Sequence, residues 1–296
     1  AGFLDGDGCV SMESPTTDRR RPAPRVSATQ SYNHGEPPEL LFLQNRFHGS
    51  IRTVKKATNT RRNSWTFRVC ESDREKLLSV VADHGIVKRR QAELALDYLV
   101  QGKEDPAYFS YEIAREKADV HSTEIDVDRL TMSYLAGLFA AEGPVGLCRN
   151  GHGSYGLVSS IAQSSCPRLI RAIKGKLGYG YVCGGKINFA PTATIKFLEC
   201  VQPFIKKSQK RRQIKVAKHF VRYMDEIGRH PGRHKRSEEE RKRIEKFAKK
   251  ARKIEENVNN IRTSPKRRAA LGLYCESSKA CPQSTRPPRA PEDQSL

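Results

Sequence analysis

Two acids sit in matching contexts. Asp7 closes the string Ala1-Gly2-Phe3-Leu4-Asp5-Gly6-Asp7-Gly8, and Glu142 closes Leu135-Ala136-Gly137-Leu138-Phe139-Ala140-Ala141-Glu142-Gly143. In both, an apolar segment rich in small residues ends in an acid followed by glycine. The small residues Ala1, Gly2, Gly6, Ala136, Gly137, Ala140 and Ala141 would let two helices approach closely. Soluble helices carry this much glycine only where close packing or a special backbone is needed. Side-by-side packing would bring Asp7 and Glu142 together at the carboxyl ends of their helices, each facing the unfavourable end of a macrodipole. Two such carboxylates repel unless cations intervene, and hard oxygen donors favour Mg²⁺. The bland alternative is that both acids merely end helices. Asp5 has no counterpart, because Ala140 stands in its place, so the chemistry does not need an acid there.

Two further strings follow each acid in the same order and at similar distances. Ala28-Thr29-Gln30 is echoed by Ile161-Ala162-Gln163, and Lys88-Arg89-Arg90-Gln91 by Lys210-Arg211-Arg212-Gln213. Chance could supply one of these features; three in one order define an internal repeat.

The elements that must position these residues also repeat. Strand-like text at 9–14 and 25–30 in the first copy corresponds to 144–149 and 155–163 in the second. A short helix follows in each, over 38–47 and 167–177, with Gly49 and Gly178 placed where helices stop. A second strand pair is predicted at 50–56 and 65–69, where Trp65-Thr66-Phe67-Arg68-Val69 alternates apolar and polar residues. Its counterpart is shorter: 181–183 and 186–189 flank Gly184-Gly185, a tight hairpin signal. Each half therefore reads helix-β-β-helix-β-β-helix, an α+β unit with an antiparallel sheet. The expected organisation is a first repeat at 1–101, a linker at 102–128 that is charged and partly helical, and a second repeat at 129–227. A basic helical extension follows at 228–262, and a disordered basic tail at 263–296. In the extension, Ser237-Glu238-Glu239-Glu240 is a capping-box signal, and Ile244, Phe247, Ala248, Ala251, Ile254 and Val258 mark one helix face. The opening on Ala1 without Met leads us to expect a truncated amino end.

Bulk properties narrow the partner. The chain has 296 residues, 54 Lys and Arg against 33 Asp and Glu, and a net charge of +21. Such an excess calls for a polyanion, nucleic acid before an acidic membrane surface. No apolar run is long enough to span a bilayer. The 8 cysteines form no Cys-x-x-Cys pair and read as reduced thiols rather than a disulfide framework or zinc site.

The two acid-ending strings resemble the signature of the LAGLIDADG homing endonucleases. The first is a near-complete match. The second departs in carrying Ala140 and in ending in Glu, which keeps the carboxylate. The resemblance runs to roughly residue 225 in family order. It implies one chain folded as a pseudo-dimer, two tandem αββαββα repeats forming a pseudo-two-fold DNA-binding saddle of antiparallel sheets. It implies metal-assisted hydrolysis of two phosphodiesters in double-stranded DNA. Asp7 and Glu142, with the carbonyls of Gly6 and Ala141, would hold Mg²⁺, with Mn²⁺ as a substitute. Lys88 and Lys210 match the family's basic active-site position, and Gln30 and Gln163 would hold a water network. Arg89, Arg90, Arg211 and Arg212 are rival cations, and these strings could instead be basic helix faces touching phosphates.

Strand residues would read the DNA from the major groove. The candidates are Arg21, Arg25, Arg52, Lys55, Arg61, Arg62 and Arg68 in the first half, and Arg149, Asn150, His152, Lys186 and Asn188 in the second. Trp65 and Phe67 read as sheet core, and His34, His48 and His84 as loop residues. Because the halves differ, a monomer would recognise a long asymmetric site, whereas a homodimer reads a palindrome. The rival functions are an RNA maturase of the same fold, binding intron RNA, and an inactive DNA-binding relative. Mobility of an intron or intein is the expected biological role. An intracellular location is expected, in chloroplast, mitochondrion or nucleus.

Overall fold

Two helices with almost no side chains between them organise the molecule. The structure is a computed structural model and describes residues 1–14, 22–32, 35–55, 63–101, 105–149, 155–205, 210–226 and 237–259. Helix α1 (Gly2–Asp7) lies against α6 (Met132–Glu142). A Cβ built on Gly2 would stand 2.1 Å from the Tyr134 carbonyl oxygen, and one on Gly137 2.8 Å from the Phe3 backbone nitrogen. At Gly6 it would stand 2.5 Å from Ala141 Cβ. The backbones touch, and only glycine fits at these crossings.

From this seam the chain runs outward twice in the same pattern. In the first half, α1 leads to β1 (Gly8–Glu13), β2 (Ala23–Ser31), α2 (Pro38–Phe47), β3 (Gly49–Lys55), β4 (Ser64–Val69), α3 (Arg74–His84) and α4 (Arg89–Val100). After α5 (Pro106–Ala118), the second half follows α6 with β5 (Val145–Arg149), β6 (Tyr155–Ala162), α7 (Pro167–Leu177), β7 (Tyr181–Cys183), β8 (Lys186–Phe189), α8 (Pro191–Val201) and α9 (Lys210–Glu226). The two antiparallel four-stranded sheets have the same order, β1-β2-β4-β3 and β5-β6-β8-β7. Each half differs from the expected pattern in closing with two helices rather than one. Gly85 breaks the first pair, with its N–H returned to the Val81 carbonyl. The short 3-10 turn Gln202–Phe204 follows α8 in the second.

Each half has its own core under one sheet face. Val26, Ala28, Phe67 and Val69 face Leu40, Leu77, Leu78 and Ala95 in the first. Leu157, Ile161, Ile187 and Phe189 face Leu169, Ile173 and Phe197 in the second. Ile86 and Val87, in the turn before α4, are buried in the second half's core, so the halves interlock. The linker carries helix α5, which returns Phe109 and Ile113 to the first core, Phe109 edge-on to Tyr98. Arg129 then fastens the linker's end to the last turn of α3, donating to the carbonyls of Ala82 (2.9 Å) and Asp83 (2.5 Å).

Helix α10 (Glu238–Asn259) begins in the expected reciprocal cap. The Ser237 N–H donates to Glu240 Oε2 at 2.9 Å, and the Glu240 N–H to Ser237 Oγ at 3.2 Å. Ile244 and Ala248 are buried against α9 and β5, and Phe247 stacks on Tyr223. The expected tail, 263–296, lies outside the described residues, as do 228–236 and 260–262 of the expected extension.

The seam makes a stringent expectation. Gly2→Ala should abolish cooperative folding or lower Tm by more than about 10 °C, since backbone rather than a movable side chain blocks the methyl. Gly175→Ala, in the middle of α7 with open space around its Cβ, should instead stabilise by roughly 0.5–1 kcal/mol. Thermal unfolding of both variants checks the pair.

Candidate active site and nucleic-acid interface

The close crossing at Gly6 sets the chemistry, because a Cβ there would also stand 3.1 Å from Glu142 Cγ. The carboxyl ends of α1 and α6 therefore meet, with Asp7 and Glu142 side by side. The glycine after each acid has its own cause. The chain turns back over its own helix, and a Cβ on Gly8 would strike the Leu4 carbonyl, one on Gly143 the Phe139 ring.

The two acids are half-buried, and their electrostatics are strained. Burial pushes the Asp7 carboxyl up to about 7, and the neighbouring Glu142 charge adds to the rise. A hydrogen bond from Gln30 and the charge of Lys210 oppose it. Burial also raises Glu142, against the charges of Lys88 and Lys210. Burial lowers Lys88, while Asp5, Cys9, Asp7 and Glu142 pull it back up. Asp7, Glu142, Lys88, Lys210 and Gln30 are thus brought into one electrostatic cluster. Gln163 reaches it differently: its Nε2 donates across the seam to the Asp5 carbonyl (3.3 Å), while its Oε1 accepts from Ser165 (2.8 Å).

The donor set fits a hard divalent cation. Two neighbouring carboxylates whose proton affinity burial has raised gain most from a positive charge placed between them. Gln30 Oε1, beside Asp7, is buried with no donor among the described residues, an acceptor left for an ordered water. Among the described residues no cluster of three or more His, Cys, Asp or Glu occurs, so carbonyls, water and a bound phosphate would have to complete any coordination.

Asp5 does something the sequence did not reveal. It is 1% exposed and accepts four hydrogen bonds. Its Oδ2 takes the N–H of Ile86 (2.7 Å) and Val87 (3.0 Å) and the Tyr134 hydroxyl (2.8 Å); its Oδ1 takes the N–H of Lys88 (3.0 Å). One carboxylate therefore binds α1, the start of α4 and the second half's α6. The Lys88 ammonium donates to the Asp5 carbonyl at 2.5 Å, which sets that lysine beside the acids. Arg89 and Arg90 pair instead with Glu93 on the same helix. In the second half Ala140 cannot play the part of Asp5.

The outer sheet faces carry the expected reading residues in part. Strand alternation puts Arg25 and Arg68 opposite the buried Val26, Ala28, Phe67 and Val69. Arg52 pairs with Thr66 and Lys55 with Ser64 on the same face, and both are exposed. Lys186 and Asn188 alternate with the buried Ile187 and Phe189 on β8. Arg149 lies on β5. Arg21, Arg61, Arg62, Asn150 and His152 lie outside the described residues, as does His34. His48 pairs with Asp73 at 2.6 Å and His84 ends α3, both away from the acids. Sequence reasoning missed Glu13, which sits among the arginines. Its alternation with the inward Val10 and Met12, which puts it on the outer face, was a usable signal.

A cavity of about 480 Å³ lies between α8 and α9, lined by Ile195, Lys196, Lys218 and Arg222 among others and by none of the clustered residues. The acids lie outside it, half-buried where α1 and α6 end. No described helix is long and apolar enough to cross a membrane.

With this architecture in hand, the chain has the fold of the single-chain LAGLIDADG homing endonucleases. It is similar to I-AabMI, a LAGLIDADG meganuclease bound to uncleaved DNA, with a TM-score of 0.60 at 16% identity, over 88% of this chain and 97% of that one. I-GzeII, a LAGLIDADG homing endonuclease in complex with its DNA target, gives 0.57 at 16% over 88% and 97%. I-SmaMI bound to an uncleaved DNA target in the presence of calcium ions gives 0.58 at 15% over 84% and 96%. No family model and no curated protein sequence matches the chain.

Two expectations follow from the geometry. Asp5→Ala would strand the buried N–H groups of Ile86 and Val87, the part-buried N–H of Lys88 and the Tyr134 hydroxyl, at roughly 1–3 kcal/mol for each buried group before relaxation; urea unfolding should show a net loss of about 3 kcal/mol or more. Asp7 binds its proton more tightly in the native state than in the unfolded one, so the stability it contributes falls as pH rises from about 4 through about 7. In EDTA at pH 8, Asp7→Asn should therefore raise Tm by about 3–5 °C, and the difference from wild type should vanish at pH 4.

Proposed function

We propose that this chain is a site-specific double-stranded DNA endonuclease that hydrolyses phosphodiester bonds with a divalent metal ion, and that it serves intron or intein mobility as a homing endonuclease. The observation that carries the proposal is the meeting of Asp7 and Glu142 at the ends of α1 and α6, at the junction of two like halves. The similar solved structures are named as homing endonucleases or meganucleases on DNA, and one of them as held with calcium. The net charge of +21 supports a polyanionic partner.

Asp7 and Glu142, with the Gly6 and Ala141 carbonyls, would hold Mg²⁺, with Mn²⁺ as a substitute. When bound, the ion supplies positive charge to the reacting phosphate and lowers the pKa of a nearby water. Lys88, held by Asp5, would offset the charge that builds on one phosphate, and Lys210 on the other. Gln30, with its free acceptor beside Asp7, would orient the attacking water, and Gln163 would do so in the second half. The outer sheet faces would lie in the major groove. Arg25, Arg52, Lys55 and Arg68 on one and Lys186 and Asn188 on the other differ in number and type, so a single chain would read an asymmetric site.

Selection of cleaved sites from a random duplex library tests this reading. Wild type should cut one long asymmetric site in Mg²⁺ and none in EDTA. Asp7→Asn and Glu142→Gln should each lower cleavage roughly 100-fold or leave nicks, with binding retained. A folded wild type that binds duplex DNA and never cuts it would overturn the nuclease reading, and tight binding of structured RNA in its place would favour a maturase.

A further inference from the structure

On the outer face of the first sheet, one carboxylate stands between two guanidiniums. Glu13 ends β1, and its Oε1 accepts from Arg25 Nη1 at 3.3 Å. Its Oε2 accepts from Arg68 Nη2. The two arginines come from different strands: Arg25 faces Ser11 across β1 and β2, and Arg68 faces Ser27 across β2 and β4. To reach Glu13, the Arg68 side chain must lie across the sheet surface. Ser27, which alternation places on this outer face, is 7% exposed, as it would be under such a cover. The side chains remain partly open, Glu13 at 23%, Arg25 at 37% and Arg68 at 39%.

An acid on a DNA-facing surface is a cost if the only task is to attract phosphate. It repels the backbone and cancels one of the two positive charges it touches. It brings something else. Each guanidinium has five N–H donors in a fixed fork, and a carboxylate taken on one edge leaves the other edge directed. The rotamer freedom of two long side chains is also spent before the duplex arrives, which lowers the cost of forming base contacts. Arginine to guanine O6 and N7 is the pairing that such a held fork suits.

We infer that Glu13 is a specificity-determining positioning residue, which holds Arg25 and Arg68 for guanine edges and turns them away from phosphates. This rests on the reading of the chain as a site-specific DNA endonuclease. The carboxylate acts through the arginines and does not touch the reacting atoms.

Cleavage-site selection and filter binding with Glu13→Gln and Arg68→Ala test it. Glu13→Gln keeps the shape of the side chain and removes the charge. Affinity for random duplex should rise severalfold, and the salt dependence should steepen by about one counterion. The guanine preference should fall about tenfold at one or two adjacent base pairs. The single-turnover cleavage rate on saturated target should stay as in wild type. Arg68→Ala should lose preference at the same base pairs while its affinity for random duplex falls. A Glu13→Gln profile identical to that of a site-selecting wild type would overturn this inference alone. A wild type that selects no site would overturn the endonuclease reading and this inference with it.

Discussion

The whole structure depends on a contact that removes side chains. At Gly2, Gly6 and Gly137 the backbones of α1 and α6 come so close that a methyl group would collide with a carbonyl oxygen, a Cβ or a backbone nitrogen. Helix pairs in soluble proteins are usually spaced by interdigitating side chains, with axes 8–10 Å apart. Here the separation is collapsed, and the consequence is electrostatic. The last residues of both helices are acids, so bringing the helices together brings the acids together. Burial and mutual repulsion then raise the Asp7 carboxyl to about 7. The fold holds an unfavourable charge pair in place through glycine packing elsewhere along the same helices.

Such a pair has to be held rigidly, because repulsion would otherwise open it. Asp5 supplies much of that rigidity. A carboxylate that accepts three consecutive N–H groups of the turn leading into α4 satisfies backbone donors that the turn would otherwise leave unpaired. Its negative charge also lies at the favourable end of the α4 dipole. The hydroxyl of Tyr134 brings the second half into the same arrangement. Within the first acid-bearing string, Asp5 thus builds, while Asp7, two residues on along one short helix, stands beside Glu142. The second string has only one acid, and its half is braced instead by α10 lying over α9 and β5.

The halves are alike in topology and unlike in surface. Their sheets share one strand order, while the first outer face carries Arg25, Arg52, Arg68 and Glu13 and the second Lys186, Asn188 and the exposed Tyr181. Under the proposed function, the repeat would supply two equivalent positions along a duplex, and the divergence of the outward residues would supply different contacts at each, as an asymmetric site requires of one chain.

Much of this was written in the local sequence, and the reason is periodicity. Strands such as Trp65-Thr66-Phe67-Arg68-Val69 alternate with the pleat, and the start of α10 carries its cap in Ser237 and Glu240; such signals depend on neighbours in the chain alone. The three repeated strings disclosed two halves and placed Asp7 and Glu142 at equivalent positions, since a duplicated scaffold keeps its order. What the chain order could not show was which groups meet across it. Asp5 and Ile86, or Glu13 and Arg68, are far apart in sequence, and no periodicity joins them. Asp5 has no counterpart in the second half, and most of the partners it does have are backbone N–H groups, which every sequence contains. Gly85 and the turn at Gln202–Phe204 divide the closing helical segment of each half in two. Tertiary packing alone decided these matters, because a hydrogen bond or ion pair depends on distance in space.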